Sequence, residues 1–223
     1  MDISIIGTGY VGLVTGVGLA AHGHSVVCVD INPEIVIQLN SDKLPIYEKG
    51  LDMLFREART TGKFKATADI AETINATEIT IVAVGTPNVK GQINLQFIQR
   101  AIREIGEILR DKDRYHTVVV KSTILPGTTD SILLPILEKS SGKKLGEFGL
   151  GFNPEFLREG CAVEDFINPD RIVLGSDDEQ SKEKLRALYS DWRVDLIEVN
   201  TRTAELIKYA NNCLLATQIS VVN

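Results

Sequence analysis

Six short runs of the chain are apolar at nearly every position: 2–6, 25–29, 79–84, 117–120, 149–152 and 171–174. Unbroken apolar runs of this length, rather than runs that alternate with polar residues, predict strands covered on both faces. Between them the apolar positions recur with helical spacing, over roughly 10–22, 33–40, 50–60, 95–110, 128–140 and 179–190. Strands that alternate with helices predict an α/β fold built on a doubly wound, mainly parallel sheet. The polar stretch 140–147 reads as a surface turn.

The last segment departs from that rhythm. From 201 to 223 the pattern is helical, without Pro or Gly. Ala204, Ile207 and Ala210 form one stripe, and Cys213, Leu214, Leu215 and Ala216 then make the helix apolar on nearly every side. Such a helix is buried against something. It meets no Gly cap and no basic last turn, so it reads either as docking on a partner chain or as cut in mid-helix. The expected division is residues 1–200 as one domain, followed by 201–223 as the start of a connecting and dimerising helix.

The first strand leads into Gly7-Thr8-Gly9-Tyr10-Val11-Gly12, which opens a helix, and the second strand ends in Asp30. This is the dinucleotide fingerprint of a Rossmann-type sheet. Gly7 permits the tight turn, Gly9 lets the backbone approach a pyrophosphate, and Gly12 lets helix and strand pack closely. The free N–H groups of Tyr10 and Val11 at the helix start suit phosphate oxygens. A carboxylate at Asp30 accepts from ribose hydroxyls and repels a 2′-phosphate, which favours NAD over NADP. Gly85, Thr86 and Pro87 end the next strong strand, where ligands of such sheets sit; a plain β-turn explains them equally well.

Further candidates fall at later strand ends. Ser122 and Thr123 follow the run 117–120. Glu155, Phe156, Leu157, Arg158 and Glu159 follow 149–152, and two carboxylates four apart beside a strand end suit acid–base work. An ordinary helix start with a solvated charge pair accounts for them as well. On the last helix, Lys208 and Asn212 share a face and suit a developing oxyanion, against the alternative of a solvent-facing lysine.

Composition narrows the classes. The 223 residues hold 24 Lys and Arg against 30 Asp and Glu, a net charge of −6, which argues against a nucleic-acid partner. Residues 3–21 are apolar, but no basic residue precedes them and glycines punctuate them, so no membrane segment is expected. Cys28, Cys161 and Cys213 form no paired framework, which points to a reducing cytoplasm. His22, His24 and His116 lie outside any cluster at ligand spacing, so no metal site is expected, and surface turns account for them.

Taken together, Ile5 to Leu13, Val84 to Asn88, Lys121 to Thr128, Asn153 to Gly160 and Glu205 to Asn212 resemble the UDP-glucose/GDP-mannose dehydrogenase family over the whole chain. The resemblance implies an NAD-dependent oxidation of a nucleotide sugar's 6-hydroxymethyl group to a carboxylate. It implies that Thr123 helps hold a catalytic water and that Glu155 and Glu159 act as acid–base and water-positioning groups. Lys208 and Asn212 would stabilise the oxyanion, and 155–159 would bracket the sugar nucleotide, with Ser122, Thr123 and Glu159 also reaching the cofactor. The family's nucleophilic cysteine lies further downstream than residue 223, and none of the three cysteines matches its setting. The expected molecule is therefore the NAD-binding half of such an enzyme, with UDP-glucose first as substrate and GDP-mannose or a UDP-N-acetylhexosamine as alternatives, and a homodimer through the last helix. Competing readings are a smaller β-hydroxyacid type of NAD enzyme and a non-catalytic NAD-binding or dimerising module.

Overall fold

The computed structural model describes residues 1–222. In chain order, β1 (Asp2–Ile6) leads into α1 (Tyr10–Ala21), β2 (Ser25–Val29), α2 (Pro33–Asn40), α3 (Leu51–Thr60), β3 (Phe64–Thr67), α4 (Ile70–Ala76) and β4 (Ile79–Val82). A small hairpin, β5 (Asn88–Val89) with β6 (Gln92–Ile93), precedes α5 (Gln96–Leu109) and β7 (Thr117–Val120). A π-helical turn over Thr129–Leu133 runs into α6 (Leu134–Ser141). Then come β8 (Gly149–Phe152), α7 (Ala162–Ile167), β9 (Ile172–Ser176), α8 (Glu179–Leu188), β10 (Leu196–Val199) and α9 (Thr201–Val222).

Eight of these strands form one sheet in the order β10-β9-β8-β7-β4-β1-β2-β3. Neighbours are parallel except β8 and β9, which pair antiparallel. The strands β4, β7, β8 and β9 are buried at every position, because helices cover both faces. One core unites Ile3, Ile5 and Cys28 with Leu13, Val17, Phe55 and Leu185. On the other side Val82, Val118 and Val120 pack with Ile98, Ile102, Ile105, Leu137 and Ala204.

The expected doubly wound sheet is present, with differences at its margins. The edge strands β3 and β10 escape the apolar pattern, since Lys65, Ile197 and Glu198 face solvent there. The strand expected over 79–84 stops at Val82. Ser140 and Ser141 are buried in the last turn of α6, so the surface turn begins only at Gly142. Two histidines are also not surface residues. His24 and His116 are buried. His116 bonds the Thr80 hydroxyl at 2.7 Å and Lys112 Nζ at 2.9 Å, and burial pushes its imidazole down to about 3.

The reversal of β9 brings a cation to the carboxyl edge of the sheet. Because β9 runs against β8, with Phe152 opposite Gly175 and Gly151 opposite Ser176, its first residues lie beyond the carboxyl end of β8. Arg171 is thereby brought to the edge where the parallel strands end. Helix α9 then crosses β9 at close range: a Cβ on Gly175 would lie 2.6 Å from the Ala204 Cβ. That contact sets the height of the helix, and Lys208 follows one turn later, about 6 Å along the axis. Among the described residues no helix is long and apolar enough to cross a membrane.

Candidate active site

The turn between β1 and α1 has the shape its glycines require. Gly7 adopts φ +97° and donates its N–H to Val29 O at 2.9 Å. A Cβ on Gly12 would lie 2.0 Å from Gly7 O, whereas a Cβ on Gly9 would meet nothing within 4 Å. Gly9 is the N-cap of α1 and offers no side chain to its first turn, which leaves the N–H groups at the helix start facing open space. An anionic pyrophosphate fits this cradle in charge and in room. Beside it Asp30 Oδ2 accepts from Thr8 N at 2.9 Å and from the Thr8 hydroxyl, and Asp30 Oδ1 accepts from Asn32 N at 2.9 Å. The carboxylate is therefore fixed at the end of β2, where a ribose belongs.

The rim is tied to the neighbouring strand ends. Thr86 donates its hydroxyl to Thr123 O at 2.7 Å, and Ser122 donates to Val84 O at 2.6 Å. Gly85, Thr86, Pro87, Ser122 and Thr123 thus form one wall between β4 and β7.

A cavity of about 710 Å³ opens at the ends of β7 and β8. Lys121, Glu155, Phe156, Arg171, Lys208 and Asn212 line it, with Leu157, Arg158 and Trp192 further round. Lys208 is 5% exposed, and its Nζ lies 2.8 Å from Glu155 Oε1. The other Glu155 oxygen accepts from Leu157 N at 2.7 Å, which holds the carboxylate in place. The Arg171 guanidinium stands 4.7 Å above the Phe156 ring. Lys121 Nζ donates to Asn153 Oδ1 at 2.7 Å, and the Tyr189 hydroxyl donates to the same oxygen at 2.5 Å. Burial pushes the Lys121 ammonium down to about 8, against the pull of Glu155. Lys121, Arg158, Arg171 and Lys208 thus line the cavity as cations, with Glu155 paired to Lys208 and Asp165 paired to Arg158.

A model of the "UDP-glucose/GDP-mannose dehydrogenase family, NAD binding domain" matches residues 1–193. The chain belongs to that family. It is 45% identical over 225 residues to the GDP-mannose 6-dehydrogenase of Pseudomonas syringae pv. tomato, covering 100% of this chain and 51% of the relative. It is 41% identical over 230 residues to the UDP-glucose 6-dehydrogenase of Haloferax volcanii, covering 100% and 53%. Among solved structures, the ternary complex of GDP-mannose dehydrogenase from Pseudomonas aeruginosa superposes with a TM-score of 0.97 at 40% identity, over 99% of this chain and 51% of that one. The UDP-glucose dehydrogenase of Pyrobaculum islandicum follows at 0.95 and 41%, over 99% and 51%. The chain spans about half the length of the relatives it matches. The family's members are NAD-dependent dehydrogenases, and the matched domain is their NAD-binding domain.

The site residues expected by this resemblance divide into two groups. Glu155, Phe156, Leu157, Arg158, Lys208 and Asn212 meet in the cavity, while Thr123 and Glu159 do not line it. Thr123 stands at the Thr86 wall, and Glu159 is exposed and close enough to Tyr10 for its charge to be felt there. Arg158 turns toward Asp165, with Nη2 2.6 Å from Oδ1. Among the cysteines, Cys28 is in the core, with burial pushing its thiol up; Cys161 and Cys213 are exposed and do not line the cavity. Sequence reasoning did not single out Lys121, Asn153, Tyr189 or Trp192 as a group. Lys121 closes an apolar strand and Asn153 opens the motif 153–160, so both carried a local signal; nothing local signalled Tyr189 or Trp192.

Proposed function

We propose that this chain supplies the NAD site and the hydroxyl-holding corner of a nucleotide-sugar 6-dehydrogenase. The observation that carries the reading is the Lys208–Glu155 pair, buried at the carboxyl end of β8 and on the same edge of the sheet as the dinucleotide turn. NAD bound at the Gly7–Gly12 turn supplies the acceptor for the hydride that leaves the sugar's C6. Loss of that hydride is easiest from an alkoxide, so the hydroxyl proton must go first. Glu155 is assigned to take it, directly or through one water. Lys208 and Asn212 are assigned to the oxygen that becomes negative, and a fixed, buried cation such as Lys208 stabilises such a charge. Thr123, at the wall beside Thr86, and Glu159, near Tyr10, are assigned to hold water. None of the three cysteines reaches the cavity, so these residues support the first oxidation and supply no nucleophile for a thioester.

The sugar is argued from similarity. Relatives named GDP-mannose 6-dehydrogenase reach 45% identity, and those named UDP-glucose 6-dehydrogenase reach 41%. GDP-mannose is therefore placed first, ahead of the UDP-glucose expected from the family at large and of UDP-N-acetylhexosamines. Calorimetric titration of the NAD-loaded chain with each sugar nucleotide tests the order. Absence of binding by all of them sinks the reading, and formation of the sugar carboxylate by this chain alone sinks the restriction to the first step.

The exposed Leu214, Leu215, Ile219 and Val221 on α9 favour self-association through that helix, which sedimentation at graded concentration would detect. The same face supports the second reading, a non-catalytic dimerising module. The three free cysteines support a reducing, cytoplasmic setting.

A further inference from the structure

A buried carboxylate with no part in either site stands between them. Glu48, in the connection from α2 to α3, is 4% exposed. It accepts a hydrogen bond from the Tyr10 hydroxyl, from Gly160 N at 2.9 Å and from Ala162 N at 3.2 Å. Tyr10 is the first residue of α1, in the middle of the dinucleotide turn. Gly160 closes the segment 153–160 and holds φ +88°, a left-handed conformation that only glycine adopts freely. Ala162 opens α7, whose N-cap Cys161 gives no side-chain bond. One carboxylate therefore grips the start of the cofactor helix and the end of the segment that carries Glu155, Arg158 and Glu159.

The charges suit a rigid link. The Tyr10 hydroxyl bond, opposed by burial, helps hold the Glu48 carboxyl below its usual range. Burial and then Glu48 push the Tyr10 phenol up to about 12. The acceptor is thus ionised and the donor neutral at physiological pH, and such charge-assisted bonds are stronger than neutral ones.

We propose that Glu48 is a positioning residue that couples the two sites: a dinucleotide seated on the turn fixes Tyr10, and through Glu48 fixes Gly160 and Ala162. The sugar-binding segment is then ordered before its substrate arrives, and the cost of ordering it is not met a second time. By reciprocity a sugar nucleotide tightens the dinucleotide by the same factor. The inference rests on the reading of 153–160 as the sugar-binding segment only for its consequence, not for its test.

Amide hydrogen exchange with ADP-ribose tests it. This probe carries the pyrophosphate and lacks the reactive ring that would touch the segment directly. In the unaltered chain, saturating ADP-ribose should slow exchange at residues 7–12 and also, at least fivefold, at Gly160 and Ala162. In Glu48→Gln and in Tyr10→Phe, with ligand raised until residues 7–12 are again fully protected, the slowing at Gly160 and Ala162 should vanish. A merely structural Glu48 would speed exchange there with and without ligand and leave the ratio unchanged. Equal ligand-dependent slowing in the unaltered chain and the variants overturns the coupling, as does protection confined to 7–12. No protection at 7–12 in the unaltered chain overturns the dinucleotide reading itself and the coupling with it. Should Glu48→Gln fail to fold, Tyr10→Phe alone decides, since it leaves the carboxylate and its backbone partners in place.

Discussion

Lys208 Nζ stands 2.8 Å from Glu155 Oε1, and the two side chains are only 6% and 12% exposed. They come from α9 and from the loop after β8, so the contact exists only once α9 has crossed β9 at Gly175. Removing one member of a buried pair leaves the other charged and unmatched. Lys208→Ala should therefore cost about 3–5 kcal/mol of stability, measured by urea unfolding. It should also lower the affinity for the sugar nucleotide by at least about tenfold, or ~1.4 kcal/mol, while NAD titration changes little.

The two inner glycines of the turn should fail in opposite ways. Gly12→Ala places a Cβ 2.0 Å from Gly7 O, and relief of such overpacking costs about 1–3 kcal/mol. Gly9→Ala points into open space and should change stability by less than about 0.5 kcal/mol. Its methyl group would occupy the place of the pyrophosphate, so NAD affinity should fall steeply. Equal NAD binding by Gly9→Ala and the unaltered chain would contradict the cradle.

Asp30→Asn keeps an acceptor for Thr8 N and removes the charge. The preference for NAD over NADP should narrow by about tenfold, or ~1.4 kcal/mol, because the repulsion of a 2′-phosphate is gone. Competition titrations with the two dinucleotides measure this directly.

Stability should rise with pH above about 8. Burial pushes Lys121 and Lys112 down to about 8 in the folded chain, while an unfolded lysine holds its proton to about 10.4. Between those values the unfolded chain binds more protons, so deprotonation favours the fold. Above about 10 the trend should reverse. Tyr10 and Tyr115 are pushed up to about 12, chiefly by burial, and the unfolded chain ionises its tyrosines first. Lys121→Met should lower the slope between pH 8 and 10 by up to about 1.4 kcal/mol per pH unit. Denaturant unfolding at stepped pH reads the slope, and an unchanged slope would show that Lys121 does not titrate in this range.

Much of this molecule is legible in the order of its residues. The unbroken apolar runs of β1, β2, β7 and β8 announce strands covered on both faces, because only helices on either side can bury every position. Gly7, Gly9, Gly12 and Asp30 announce the cofactor turn, since each meets a local requirement of φ, space or charge. Lys208 and Asn212 share a face by helical spacing alone.

Other features have no local cause. The edge strands β3 and β10 look polar because half of each faces water, and they pair only because a neighbouring strand offers its free edge. The reversed direction of β9, which carries Arg171 to the site, comes from the path of the chain and not from any residue in the strand. The same holds for Lys121, Asn153 and Tyr189 sharing one oxygen, and for Glu48 holding Tyr10 to Gly160. Sequence by itself determined the glycine turn after β1 and the family, because those constraints act between near neighbours. Tertiary structure decided which distant polar groups meet, because a buried charge finds its partners only where packing has closed off the water.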